Sequence, residues 1–426
     1  MERRFAALAV IGVALSVSAV ANELPAGTPR AAGMSGERLE RVAEVIQHAV
    51  AAGEVAGAAA LIVRNGEVAW SGAFGMADRE AGRPMRTDDM FRIASMTKAV
   101  TSSAVLILYE EGHFLLDDPI SRYLPEFDRP MQVVSDDGET LVPTTRPITI
   151  RHLLTHTSGL SYGFMNDALT PYYASAGVSD GVGDNGITSA ENVRRLAGAP
   201  LLFEPGTAWH YGLSVDVLGR LVEVVSGQTL EDFLTERLFE PLGMVDTHFH
   251  VPAAKRERMA VVYRHDAAGE LQPVPGGVIR DGHVVFSVEY PWDENARMQS
   301  GGAGLTSTLH DYSRFLQMVL NGGTLDGRRI LGRKTVELMT TNQTARLGVS
   351  RYPGRSWSLA FEVEDGPDAT GLPGSPGIVR WDGFYNTYFW IDPEEALVAL
   401  LLTQHYPFGI ELRFRFRTTM YQAIDD

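Results

Sequence analysis

Apolar positions change their spacing several times along the chain, and each change marks an element. From Glu37 to Ala52 they recur every three or four residues, the spacing of a helix with one buried face. Ala58–Val63 and Val68–Ala73 are short strand-like runs. Asn65-Gly66 between them favours a tight hairpin turn. A strongly helical run, Met96–Glu111, comes next. From about Asp117 to Phe249 helical spacing dominates, with a short helix at Thr149–Thr155 and longer ones at Ser214–Ser226 and Leu230–Leu238. Pro241-Leu242-Gly243 punctuates the end of that stretch. His265–Ser300 is rich in Pro and Gly with few periodic elements. It reads as a long loop that shapes a pocket, as does the segment from Tyr172-Tyr173 to Asn185. Helical spacing returns at Leu309–Leu320 and Lys334–Met339. Strand signals at Ser358–Val363, Gly377–Val379, Thr387–Ile391 and Ala396–Leu402 precede a last helix starting near Glu411.

This order predicts an α+β fold, an α/β sandwich. An antiparallel sheet is drawn from both chain ends, helices cover its faces, and a mainly helical region is inserted between them. In residues, 22–94 and about 296–426 make the α/β part and about 95–295 the helical part. Ser95 falls at the junction, where clefts tend to form.

Composition narrows the setting. A net charge of −16 argues against nucleic acid, whose phosphates would repel the chain. With no cysteine there is no disulfide, no thiol nucleophile and no cysteine-ligated metal. Arg3 and Arg4 precede an apolar stretch from Phe5 to Val20 that ends in Ala19-Val20-Ala21, a small-x-small pattern. That is the layout of a secretory signal peptide, with cleavage expected after Ala21 and an exported, periplasmic or secreted product. No later segment is long and apolar enough to span a membrane.

The most informative chemistry is Ser95-Met96-Thr97-Lys98. Of 37 basic residues only three are lysines, Lys98, Lys255 and Lys334, and only Lys98 has a serine three positions before it. Residues three apart share a helix face, so the amine can reach the hydroxyl. A serine attacks once a base takes its proton, and a lysine serves when burial lowers its pKa. The helix N-terminus adds partial positive charge beside the serine. By itself the pair is equally an N-cap serine followed by a surface lysine.

The surrounding text resembles the serine β-lactamase and penicillin-binding protein superfamily, and is most similar to class C β-lactamases and the family VIII carboxylesterases. Besides Ser95-x-x-Lys98, the resemblance rests on Asp89–Ala94, Asp117-Asp118-Pro119-Ile120, His152–Leu160, Glu204-Pro205-Gly206-Thr207 and Pro241–Met244, and it spans residues 30 to 405. It implies a second-motif tyrosine at Tyr211-Gly212-Leu213, set beside Ser95 and Lys98 to share their proton transfers, with its phenolate favoured by the lysine. It also implies a third motif at Trp381-Asp382-Gly383, and an oxyanion hole of the Ser95 and Phe384 amides. In β-lactamases an asparagine stands at Leu213 and a lysine at Trp381. Their replacement turns the site from antibiotics toward neutral esters. Asp382 is expected to discourage anions further. Trp381, Gly383, Tyr162 and Leu213 are the expected substrate-binding residues. Outside the resemblance, Tyr211 reads first as a core or helix-capping tyrosine, and Trp381 also fits a core aromatic on a strand, though less well than a site residue.

Two patterns compete with this assignment. Gly159-Leu160-Ser161-Tyr162-Gly163 fits G-x-S-x-G, but that elbow needs a strand, a sharp turn and a helix. Here a helical segment precedes it and a loop follows, so Ser161 is expected to be structural and Tyr162 to line the pocket wall. His152 and His156 are spaced as zinc ligands can be but lack the intervening glutamate, so capping and hydrogen bonding are expected instead. The resulting expectation is a serine carboxylesterase acting on small-molecule esters through an acyl-enzyme on Ser95, without metal or cofactor. The alternatives on the same fold are a β-lactamase, a D-amino-acid peptidase, a transacylase, or a non-catalytic binding protein.

Overall fold

The computed structural model describes residues 23–135, 140–183, 186–293, 297–347 and 353–426. The leader expected at 1–21, and Asn185 in the second pocket loop, lie outside them. Helix α1 (Gly36–Ala51) starts where the Ser35 side chain accepts from the Arg38 amide, and it buries Leu39, Val42, Ile46 and Ala49 along one face. Strands β1 (Gly57–Arg64) and β2 (Glu67–Asp78) follow as a hairpin. Its turn residues Asn65 and Gly66 both have positive φ, 56° and 83°, which an Asn-Gly pair adopts at little cost. A two-residue strand, β3 (Arg83–Pro84), extends that edge.

The other half of the sheet comes from the far end of the chain: β4 (Arg355–Trp357), β5 (Glu362–Glu364), β6 (Val379–Asp382), β7 (Tyr388–Asp392) and β8 (Leu397–Thr403). The order is β4-β5-β6-β7-β8-β1-β2-β3, with antiparallel pairing throughout. The first and last strands of the chain therefore meet in the middle, with Leu61 opposite Leu400. Both are buried along their whole length because each face is covered.

Side chains alternate between those faces. Ala58, Ala60, Ile62, Tyr388, Trp390, Ala399 and Leu401 pack under α1 and the final helix, Leu412–Tyr421. Ala59, Leu61, Val63, Phe389, Ile391, Leu400 and Leu402 join the large core with the inserted helices. Those helices include α2 (Thr97–Glu110), α3 (Ser214–Ser226) and α4 (Leu309–Leu320). The sandwich predicted from the sequence is the observed architecture.

Three local expectations are corrected. Ser358–Val363 is not one strand: the Ser358 hydroxyl accepts from the Ala360 and Phe361 amides and closes a turn between β4 and β5. His265–Ser300 is not loop throughout. It holds the hairpins Tyr263–His265 with Leu271–Pro273 and Val278–Asp281 with Val284–Ser287, whose strands are too short to show a period. The helix from Leu230 does not stop before Pro241. A π turn at Thr235–Phe239 carries it through Glu240–Leu242, and Gly243, with φ 67°, ends it.

Candidate active site

Ser95 sits in a single 3-10 turn, Ala94–Met96, that runs straight into α2. The residue before it, Ala94, has φ 43°, a conformation that costs energy without glycine and that clusters at functional sites. The surrounding structure holds this turn from several sides. Ile93 donates to the Leu305 carbonyl at 3.1 Å, the Tyr312 hydroxyl donates to the Met96 carbonyl at 2.9 Å, and the Thr97 hydroxyl accepts from the Leu305 amide at 3.1 Å. Just upstream, buried Arg92 donates to the Ala260 carbonyl and the Gln404 side chain, which ties the turn to the rest of the cleft wall.

Lys98 lies one helical turn on, with only 1% of its surface exposed. Its Nζ is 2.7 Å from the Tyr162 hydroxyl, 2.7 Å from the Gly302 carbonyl and 3.4 Å from Ser95 Oγ. Burial strips the ammonium of water and pushes its pKa down to about 7, while Asp216 pulls the other way. The geometry suits a neutral amine. As a neutral amine, its two N–H groups would serve the two near oxygens and its lone pair would face Ser95.

The Trp381 indole N–H donates to the Tyr211 hydroxyl at 3.1 Å, and Ser95 lies near enough to that hydroxyl to pull its pKa down against burial. Lys98 faces its ring at 4.6 Å from the centroid rather than its oxygen. The phenolate expected for Tyr211 is corrected here: burial raises its pKa above the ordinary tyrosine value, so the hydroxyl keeps its proton. Tyr162, expected to line the pocket wall and bind substrate, is a direct partner of Lys98, and its ring packs on that of Tyr211 at 5.5 Å between centroids. It therefore stands between the amine and Tyr211.

Trp381 stands half-buried at the end of β6, edge-on to Trp357 with centroids 4.5 Å apart and 5.0 Å from Tyr211. Asp382 is next in the strand and turns to the other face, where it pairs with Arg380. Its charge is compensated there, so it does not screen the cleft against anions as expected. Gly383 begins the turn to β7, donating to the Thr387 carbonyl at 2.8 Å and accepting from Asn386 at 2.9 Å. A Cβ on Gly383 would collide with the Thr387 hydroxyl and come within 2.5 Å of the Ile93 carbonyl, so glycine lets this turn lie directly against the Ser95 segment. Backbone pairing among the described residues leaves the Ser95 and Phe384 amides unused, as an oxyanion hole requires. The Phe384 ring packs on Phe286 and Tyr406, at 5.6 and 5.3 Å.

Leu213 is corrected. It is fully buried and caps α3 from inside the core, so it presents no surface to a substrate. Ser161 is fully buried as well, its hydroxyl 2.8 Å from His210 Nε2 and 3.0 Å from the Tyr162 carbonyl, with a loop rather than a helix after it. His152 closes a capping box with Thr149, the local role expected of it. His156 is buried behind Tyr211 and Trp357, at 4.8 and 5.0 Å between centroids, and burial keeps it neutral.

Asp216, Ser300 and Gly302 were not singled out from sequence. The one available signal was a carboxylate inside the apolar run Val215–Leu218 of a helix. The glycines give no periodic signal, and their place beside Lys98 comes from long-range packing.

Comparison with known proteins agrees with this geometry. The family model described as Beta-lactamase matches residues 42–416. Esterase EstB of Burkholderia gladioli is 38% identical over 371 residues, covering 85% of this chain and 89% of that protein. The solved structure described as EstCE1, a hydrolase with promiscuous acyltransferase activity, superposes with a TM-score of 0.78 at 29% identity, covering 91% of this chain and 98% of its own. Unliganded simvastatin synthase (LovD) from Aspergillus terreus superposes at 0.72 with 26% identity, over 92% and 98% of the two chains. Taken with the Ser95–Lys98–Tyr211 cluster at the junction of sheet and helices, the match over 42–416 places this chain in the Beta-lactamase family.

Proposed function

We infer that this protein is a serine hydrolase that cleaves carboxylic esters through an acyl-enzyme on Ser95, in the manner of the family VIII carboxylesterases. The observation that carries the inference is the state of Lys98. It is buried, brought near neutrality, and set 3.4 Å from the Ser95 hydroxyl with its other contacts already made. Ser95 Oγ attacks the ester carbonyl while Lys98 takes its proton, and the Ser95 and Phe384 amides receive the oxyanion. Tyr211 gives its proton to the departing alkoxide, and Lys98 restores it through Tyr162, which bonds the amine and packs against Tyr211. Water then attacks the acyl-enzyme with Lys98 again as base, and Ser95 leaves protonated.

Ester cleavage is favoured over β-lactam cleavage by what surrounds this machinery. No amide-binding side chain follows Tyr211, because Leu213 is turned into the core, and Trp381 rather than a cation faces the cleft. Relatives named for acyl transfer support a second outcome of the same intermediate, in which an alcohol replaces water. The leader pattern at residues 1–21 supports export as the setting.

Ser95→Ala tests the assignment. Wild-type protein mixed with a short-chain p-nitrophenyl ester is expected to give a burst of nitrophenol and an acyl adduct by intact mass. The variant is expected to give neither, and a surviving burst would overturn the assignment.

A further inference from the structure

The mechanism places a positive charge on a buried lysine whose hydrogen-bond partners are all neutral: Ser95, Tyr162 and the Gly302 carbonyl. A bare ammonium there would be costly. Among the groups facing Lys98, Tyr211 presents its ring and His156 is neutral, so neither supplies negative charge. On the far side of Gly302 lies Asp216, in the first turn of α3 and 4% exposed. Its Oδ1 accepts from the Ser300 hydroxyl at 2.6 Å and from the Gly302 amide at 3.4 Å, while Oδ2 has no hydrogen-bond partner among the described residues.

Gly302 is the spacer between acid and amine. A Cβ placed on it would collide with Asp216 Oδ2 and stand 3.4 Å from Lys98 Nζ. Carboxylate and amine are thus within the range of about 4–6 Å over which opposite charges alter each other's protonation. They do not touch, since the Gly302 peptide lies between them. A direct ion pair would lock the lysine as an ammonium and end its use as a base. Complete separation would leave the ammonium uncompensated.

We propose that Asp216 is a positioning residue of this site: the buried counter-ion, set one glycine away from Lys98, that allows the amine to hold the Ser95 proton for the length of the reaction. The proposal rests on Lys98 being the base. Other groups face the pair. Asp180 lies beside Asp216 and Tyr162, and burial raises its pKa to about 7. Burial also raises that of Asp216, against the pull of Lys98 and the Ser300 hydrogen bond. Asp180 has its own donor, the Gly163 amide at 2.7 Å, and no contact with the lysine. Asp216 is therefore the acid coupled to Lys98.

The test is the pH dependence of Ser95 phosphonylation by a fluorophosphonate, compared among wild type, Asp216→Asn and Ser300→Ala, each checked for folding by circular dichroism. Removing the carboxylate lowers the proton affinity of Lys98. The acid limb of Asp216→Asn is expected to move down by about one pH unit or more, while the plateau rate falls about tenfold because the forming ammonium has lost its counter-ion. Ser300→Ala weakens the charge on Asp216 and is expected to move the limb the same way by less. A folded Asp216→Asn with its limb unmoved or moved up overturns the proposal. If that variant does not fold, an unmoved limb in Ser300→Ala does so instead. Lys98→Ala separates the two readings. If it still labels at the wild-type rate, Lys98 is not the base. If it loses labelling while both acid-network variants keep the wild-type limb, only the role of Asp216 fails.

Discussion

Gly383→Ala is the sharpest test of how the turn after β6 serves the reaction. The added methyl would overlap the Thr387 hydroxyl and stand 2.5 Å from the Ile93 carbonyl oxygen. The hydroxyl can rotate away, but the carbonyl cannot: it accepts from Met96 at 3.1 Å, and the Ile93 amide is held by Leu305 at 3.1 Å. Relieving that contact requires the 383–387 turn to retreat by about 1 Å. The Phe384 amide moves with it, away from the place where the oxyanion forms. Losing one such donor costs about 10²–10³ in kcat, or about 3–4 kcal/mol of transition-state stabilisation. Overpacking costs about 1–3 kcal/mol of stability besides. Steady-state kinetics on a p-nitrophenyl ester are expected to show the fall in kcat with a much smaller change in KM, and urea unfolding the loss of stability. Adding Thr387→Ala removes the hydroxyl overlap but not the carbonyl one, so the double variant is expected to recover less than tenfold. A Gly383→Ala enzyme within threefold of wild-type kcat would refute the reasoning.

The remaining predictions concern the protons and the competing motif. Because Lys98 acts as a base and is brought to about 7, kcat/KM is expected to fall about tenfold per unit as pH drops below that value, and a profile flat to pH 5 would exclude this assignment. Tyr211→Phe removes the proton donor to the leaving group and leaves the Trp381 indole without an acceptor. A loss of about 10²–10⁴ in kcat is expected, smaller for esters of acidic phenols than for alkyl esters, and equal losses for both would count against the donor role. Ser161→Ala is expected to retain kcat within a few-fold, with any cost appearing in melting temperature, because the buried hydroxyl binds His210 and not the cleft. An inactive but folded Ser161→Ala would revive the nucleophile-elbow reading.

Much of this protein was determined by sequence alone because the signals are local. Helical spacing located α1, α3 and α4 almost to the residue, and Asn65-Gly66 specified its hairpin. The strand signals at both ends of the chain implied the shared sheet. Ser95 and Lys98 could be joined because three residues of helix bring them together, and motif text added Tyr211 and Trp381. Tertiary structure decided what depends on burial and on contacts between distant segments. Leu213 has the apolar character expected of a pocket residue, but packing turned it inward. Tyr211 looked like a phenolate beside a cation until burial kept its proton, and the same burial brought Lys98 down to about 7. Tyr162, Gly302 and Asp216 reach the lysine from 64, 204 and 118 residues away. A proton affinity is a property of the surroundings, and no spacing rule along the chain describes what folding brings next to an amine.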